Sequence, residues 1–286
     1  MAAGGHPMML RAVLADGNGL PGLDRVPIWL NDPENWWGPN GLLARIREHL
    51  LYTVLIVLIA ALIALPVGLF IGHTGRGVVA VVGVANGLRA VPTLGLVILL
   101  ATWLTPKIHL TGAIPGLIDE GGLPYFIPVV IVLVLLALPP ILTNTYAGVQ
   151  NVDPAARDAA RGMGMTGWQV VRGVEVPCAL PLILSGIRSA TLQVIATVTV
   201  AAYLPFLGGL GRFITDGVQQ LTNLQSGYPA MVSAGIVIAV LAVLVDGVLG
   251  LVQRFVVSPG VSGRFAKHDR PGVTTEVSVE AQLTTA

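Results

Sequence analysis

The chain has 286 residues, of which 54% are hydrophobic and only 11% are Asp, Glu, Lys or Arg. Its mean hydropathy is +0.79, and an ordinary soluble domain carries about 25% charged residues, so there is too little charge here to cover a water-facing globule. The net charge of +1 offers nothing to nucleic acid or an acidic substrate, and the single Cys178 excludes an intrachain disulfide and a zinc or thiol-pair site.

Residues 1–40 are rich in turn signals, Asp16-Gly17-Asn18-Gly19 and Asn31-Asp32-Pro33 among them. No basic and then apolar leader with a small-residue cleavage site is legible, so no signal peptide is expected. Trp29, Trp36 and Trp37 stand just ahead of the first long apolar run, a place that suits the headgroup layer. Residues 1–49 read as an arm outside the membrane, either irregular or carrying a short surface helix at Leu42–His49. The first span is Leu50 to Ile71, free of charge, with Pro66 expected to bend it. At 1.5 Å per residue it covers about 33 Å, which matches a hydrocarbon core of about 30 Å.

The second span, 78–104, contains Asn86, Gly87, Arg89 and Pro92. Two half-helices would leave backbone groups unpaired in lipid, so one long helix kinked at Pro92 is expected. Arg89 then faces a protein interior or a water-filled path, or snorkels toward the basic loop Gly72–Gly77. After a Pro- and Gly-containing connector, the third span runs over 123–143, with Pro139-Pro140 at its end or at a strong bend. The fourth covers 180–202, with Arg188 near its start, and the fifth covers 228–251, with Asp246 toward its far end. The expected class is an all-α integral membrane protein with about five core helices in a membrane domain at 50–255. Residues 256–286 show no periodicity and read as a disordered tail.

Segment 144–179 is polar and too long for a tight turn. Asp153 is a suitable N-cap, Pro154 fits the first helical position, and the alanines of Asp153–Gly162 favour helix. Gly162 or Gly164 can end it, and Gly164 lets the chain turn sharply. A second helical stretch starts near Thr166 and returns to the membrane at Val176-Pro177. The small side chains of Ala156, Ala159 and Ala160 would let another surface approach closely, and Arg157, Asp158 and Arg161 would pair with it or with the helix's own carbonyls.

Asp158-Ala159-Ala160, three residues, Gly164, nine residues, Val174-x-Val176-Pro177 resembles the signature loop of ABC importer permeases, Glu-Ala-Ala, three residues, Gly, nine residues, Ile-x-Leu-Pro. Asp158 stands for Glu, and Val174 and Val176 for Ile and Leu. The stretch from Asn144 to Thr191, with 86–95 (NGLRAVPTLG) and 43–53 (LARIREHLLYT), is similar to the branch that imports glycine betaine, carnitine and choline; the likeness covers roughly 29–255. The resemblance implies a MetI-like type I importer transmembrane domain in a bacterial inner membrane, with 153–165 as the coupling helix that docks on an ATPase subunit. It implies two ATPase subunits, a second permease subunit, identical or related, and an extracytoplasmic binding protein.

No GxxxxGK[ST] occurs in the chain, so no cofactor is expected on it, and ATP and Mg would be held by the partner ATPase subunits. A cytoplasmic 144–179 places the N-terminus outside and the C-terminus inside. Basic residues then number eight inside and six outside, a small bias in the expected direction. Candidate pathway or gate residues are Asn86, Arg89, Pro92, Trp103, Tyr125, Arg188, Tyr203 and Phe206. Aromatic faces can hold a quaternary ammonium, although aromatics at span ends also serve as interface anchors. The alternatives are import of another small polar solute, such as an amino acid, and, more remotely, a channel or membrane enzyme. The last lacks support, since no span carries two close ionisable residues.

Overall fold

A computed structural model describes residues 22–110, 112, 114, 118, 120–220 and 227–258, the side chains of 81, 82, 85, 86 and 89 excepted. The turn signal at 16–19 and the expected disordered tail from 259 onward lie outside the described residues. Those residues are helical apart from loops and one isolated bridge between Ile114 and Ile118.

A short helix α1 (Val26–Asn31) precedes α2 (Leu42–Thr74), which spans without a break. The expected separate surface helix at Leu42–His49 is instead the first two turns of α2, because neither Gly nor Pro interrupts 42–65. α2 stops at Gly75, whose φ of +69° is the left-handed conformation glycine adopts freely, with its N–H on Ile71 O at 2.8 Å.

The second span departs from expectation. It is two helices, α3 (Val78–Ala90) and α4 (Thr93–Leu104), and Val91 and Pro92 between them are extended. Proline disfavours the helical region for the residue before it; Val91 leaves the helix at ψ 128° and Pro92 caps the start of α4, accepting from Leu96 N at 3.0 Å.

The opposite happens in α5 (Leu123–Gln150), which stays helical through Pro139-Pro140. The expected end there is corrected: the helix continues, and a side chain from α8 takes one of the two carbonyls that the prolines leave free. Pro140 lacks an N–H to give Leu136 O, and Gln193 Nε2 donates to that oxygen at 3.1 Å. Thr143 Oγ1 and Asn144 Nδ2 bond back to Pro139 O and Pro140 O. Neighbouring side chains keep a proline helix viable in lipid in this way.

After α5 come α6 (Pro154–Gly162), the single turn α7 (Gly167–Val170), a π-helical turn Val171–Glu175, and α8 (Val176–Val198). A 3-10 turn, α9 (Gly211–Gln219) and α10 (Gly227–Val256) complete the described chain. Among the described residues, four helical runs are long and apolar enough to cross a membrane: α2, α5, Gly167–Tyr203 and α10. α5 is the core of the bundle. Its Val129, Val132, Leu133, Ala137 and Ile141 pack with Ile56 and Ala60 of α2, Val97 of α4, and Ala190 and Val194 of α8.

Small residues bring these helices close. A Cβ on Gly68 or Gly72 of α2 would lie 2.7 Å from Thr145 Cβ or 2.6 Å from Val149 Cβ of α5, and one on Gly186 of α8 would lie 2.7 Å from Asn144 Cβ. Close backbone approach is the usual basis of helix association in lipid, where no hydrophobic effect operates between helices.

At the end of the bundle away from α6, Trp29 of α1 meets Phe213 of α9 edge-on at 5.6 Å. Glu48 of α2 accepts from Gly209 N at 2.7 Å, and buried His49 donates Nε2–H to Ile195 O at 2.9 Å. The α10 span is almost uncovered by the rest of the chain.

Candidate functional site

The α6 helix is terminated on both sides by its own sequence. Asp153 accepts from Ala155 N at 2.9 Å, and Pro154 occupies the first turn, where no N–H is needed. At the other end Gly164 has φ +82°, its N–H reaches Arg161 O at 2.9 Å, and Met165 N reaches Ala160 O at 3.2 Å. That pair of bonds is a Schellman motif, which needs a residue tolerant of positive φ at Gly164. Thr166 and Gln169 then form a capping box that starts the next helix.

The helix is two-sided, and the division differs from the expected one. Ala160 is 1% exposed and faces the bundle, so it does not belong to an outward small face. The exposed side carries Ala155, Asp158, Ala159, Arg161 and Gly162, and Met163 and Trp168 stand fully outward beside it. Asp158 and Arg161 face each other at 3.7 Å in solvent.

Arg157 also departs from expectation, since it turns inward instead of toward a partner. Its Nε lies 3.1 Å from Glu175 Oε1, and its Nη2 donates to Val149 O near the end of α5. Glu175 is fully buried and accepts from His73 Nδ1, near the end of α2, at 2.9 Å. One carboxylate thus joins α6, α2 and the start of α8, and Arg157 adds α5. A charge taken fully from water needs such partners. The π-helical turn of Val171–Glu175 makes this possible, since it adds a residue to the helical turn that leads into α8. In the loop motif, Val174 and Val176 flank Glu175, and Pro177 follows at the start of α8.

Glu175 and His73 were not among the residues singled out from sequence. The signal was present in the acid between two valines, in the unspecified position of the Val174-x-Val176-Pro177 pattern. Its partner His73 is 102 positions away, and that pairing exists only in the fold.

The candidate pathway residues fall apart into groups. The side chains of Asn86 and Arg89 lie outside the described residues. Pro92 is the N-cap of α4. Tyr125 and Phe206 come together at 5.6 Å at the end away from α6, and Phe206 holds φ +64°. Trp103 lies under Lys107 Nζ at 3.5 Å, a cation–π contact, and Tyr203 is exposed. Arg188 of α8 forms a two-pronged ion pair with Asp246 of α10, Nε to Oδ1 and Nη2 to Oδ2. Reading the spans one at a time could not find this pair, because its members sit on different spans.

Among the described residues, no group of three or more His, Cys, Asp or Glu side chains could hold a metal.

Comparison with known proteins agrees with this architecture. The chain is 31% identical over 222 residues to the glycine betaine/carnitine/choline transport system permease protein OpuCB of Bacillus subtilis, covering 78% of this chain and 91% of that one. It is 35% identical over 207 residues to the carnitine transport permease protein OpuCD of Listeria monocytogenes, covering 72% and 82%. Among solved structures it resembles an inward-facing form of the MetNI methionine ABC transporter, at 19% identity and a TM-score of 0.60, over 76% of this chain and 96% of that one; at that identity the likeness concerns the fold. Residues 60–258 match the family described as binding-protein-dependent transport system inner membrane component, and the chain belongs to that family, as a multi-pass permease subunit of the inner membrane.

Proposed function

We propose that this chain is the membrane-spanning subunit of an ATP-driven importer that carries osmoprotectants of the glycine betaine, carnitine and choline type into the cytoplasm. The substrate class follows the relatives, several of which bear those solutes in their names over most of their length. The observation that carries the transport mechanism is the buried Glu175, which ties the capped helix α6 to His73 and, through Arg157, to the end of α5.

Two ATPase subunits hold ATP and Mg and press on the exposed side of α6 through Ala155, Ala159 and Gly162. α6 cannot yield locally, since both ends are capped and Arg157 is anchored. The displacement therefore passes to α2, α5 and α8 together and tilts the bundle. A second permease subunit completes the path, and an extracytoplasmic binding protein delivers the solute. The α6 end faces the cytoplasm, with the N-terminus outside and the C-terminus inside.

The test is uptake by the purified complex in proteoliposomes. ATP-dependent accumulation of labelled glycine betaine, carnitine or choline is expected. Accumulation of an amino acid such as methionine, with none of those three, replaces the substrate assignment.

A further inference from the structure

Arg188 and Asp246 meet between α8 and α10, far from the ends of both helices. Arg188 is twelve residues along α8 from Val176, and Asp246 is ten residues before the end of α10 at Val256. At 1.5 Å per residue these are about 18 Å and about 15 Å from the α6 end, near the middle of a hydrocarbon core of about 30 Å. Their side chains keep 37% and 29% of their surface uncovered by the chain. An ion pair at that depth does not face lipid; such groups face a bundle interior or a water-filled path.

The surroundings fit a path. A Cβ on Gly250, one turn beyond Asp246, would lie 3.6 Å from Arg188 Nη1, so the pair sits beside a bare stretch of α10 backbone. α10 is held to α8 here by polar contacts, this pair and Gln253 Nε2 on Pro181 O at 3.2 Å. A joint made of two exchangeable charges can open where interlocked apolar side chains would not.

We infer that this pair is a solute-binding point of the permeation path, with Asp246 facing the quaternary ammonium and Arg188 the carboxylate of a betaine-type zwitterion. The inference rests on the substrate class proposed above. A zwitterion carries both charges that the open pair would lack, so the site stays neutral with and without solute. The guanidinium meets a carboxylate through two parallel N–H bonds, as it meets Asp246 in this structure. The ammonium has no N–H and is held by charge alone, which suits the carboxylate left behind. Closure of the protein pair competes with the solute, so capture is weak enough for release. A cation without a carboxylate satisfies Asp246 and strands Arg188 without a partner.

The test uses the whole importer complex in proteoliposomes. In a Cys178→Ser background, Gly250→Cys is exposed to a charged methanethiosulfonate and to an apolar maleimide. Reaction with the charged reagent, slowed by glycine betaine, is expected. Reaction with the apolar reagent alone, or with neither, overturns the placement on a water-filled path. Uptake is then compared for glycine betaine and for choline, which has the ammonium but no carboxylate. Arg188→Gln is expected to lower betaine uptake roughly ten- to hundredfold while sparing choline, and Asp246→Asn to lower both. Equal losses for both solutes in both variants, recovered by the double variant Arg188→Leu/Asp246→Leu, would make the pair a helix clasp and refute the inference. A wild-type complex that moves neither solute refutes the substrate reading itself, while the reactivity of Gly250→Cys still reports whether the pair lines a path.

Discussion

Glu175 has no contact with solvent, and its carboxylate is held by two side chains from distant parts of the chain, the His73 imidazole through Nδ1 and the Arg157 guanidinium. Removing one partner of a buried pair is costly because the other charge stays buried, typically by about 3–5 kcal/mol. Arg157→Ala should therefore lower the thermal unfolding midpoint of the complex well below wild type, and an unchanged midpoint would show that the pair is not buried in the assembly. Asp158→Ala is the contrasting case. Asp158 is largely exposed and its partner Arg161 is at 3.7 Å, and such surface pairs are worth about 0–1 kcal/mol, so its midpoint should stay at wild type. The sequence marked Arg157 and Asp158 alike, because both are charged residues of the same short helix. Helical facing separates them, and whether a charged side chain turns inward depends on a carboxylate eighteen positions further on. Ala160 was misplaced for the same reason, since one helical position decides between bundle and solvent.

At the scale of elements, the effect of proline was misjudged in opposite directions: Pro92 was expected only to kink one long helix, and Pro139-Pro140 to end or strongly bend theirs. Pro92 breaks the second span because nothing described there replaces the lost helix geometry at Val91, whereas Pro139-Pro140 are carried inside α5 because Gln193 arrives from α8 to take the free Leu136 O. That rescue is a tertiary fact, absent from any local window. The ends of α6 were legible, because caps are local chemistry: Asp153, Pro154 and Gly164 act within three residues of themselves. Gly164→Val should strain the Schellman turn, because a β-branched residue at φ +82° is a steric outlier. Asp153→Ala should cost about 1 kcal/mol of helix stability. Hydrogen exchange of the α6 amides should rise in both variants, and unchanged protection would show that the caps do not hold the helix. Gly186→Val should act elsewhere. Its added carbons would collide with Asn144 Cβ and with Pro140 O, which an ideal Cβ meets at 2.8 Å. Loss of folded, extractable permease is expected there, and normal yield would mean α5 and α8 are less closely packed than described.

For the molecule as a whole, composition fixed the class early, since 11% charged residues leave no choice but lipid for most of the surface. The helix count was harder to read, because α3 and α4 are each too short to cross alone and the first span begins eight residues before the charge-free run, at Leu42. What a single chain leaves open is also physical: α10 is almost uncovered by the rest of the chain and carries half of an ion pair at mid-depth, and this is the face the proposed second permease subunit would meet. In the proposed mechanism α6 is a rigid lever pressed from its solvent side. Ala159 lies on that side; only its backbone carbonyl meets the C-cap, accepting from Met163 N at 3.1 Å, and its side chain takes no part in the caps or the Glu175 pairs, so a bulky side chain there tests docking without disturbing the lever. The direct measurement is the ATPase activity that solute-loaded binding protein stimulates in the complex carrying Ala159→Trp. The stimulated rate is expected to fall to the unstimulated level, with less ATPase subunit retained on purification and solute capture by the binding protein unchanged; stimulation and retention both at wild-type level would contradict the assignment of α6 as the coupling element.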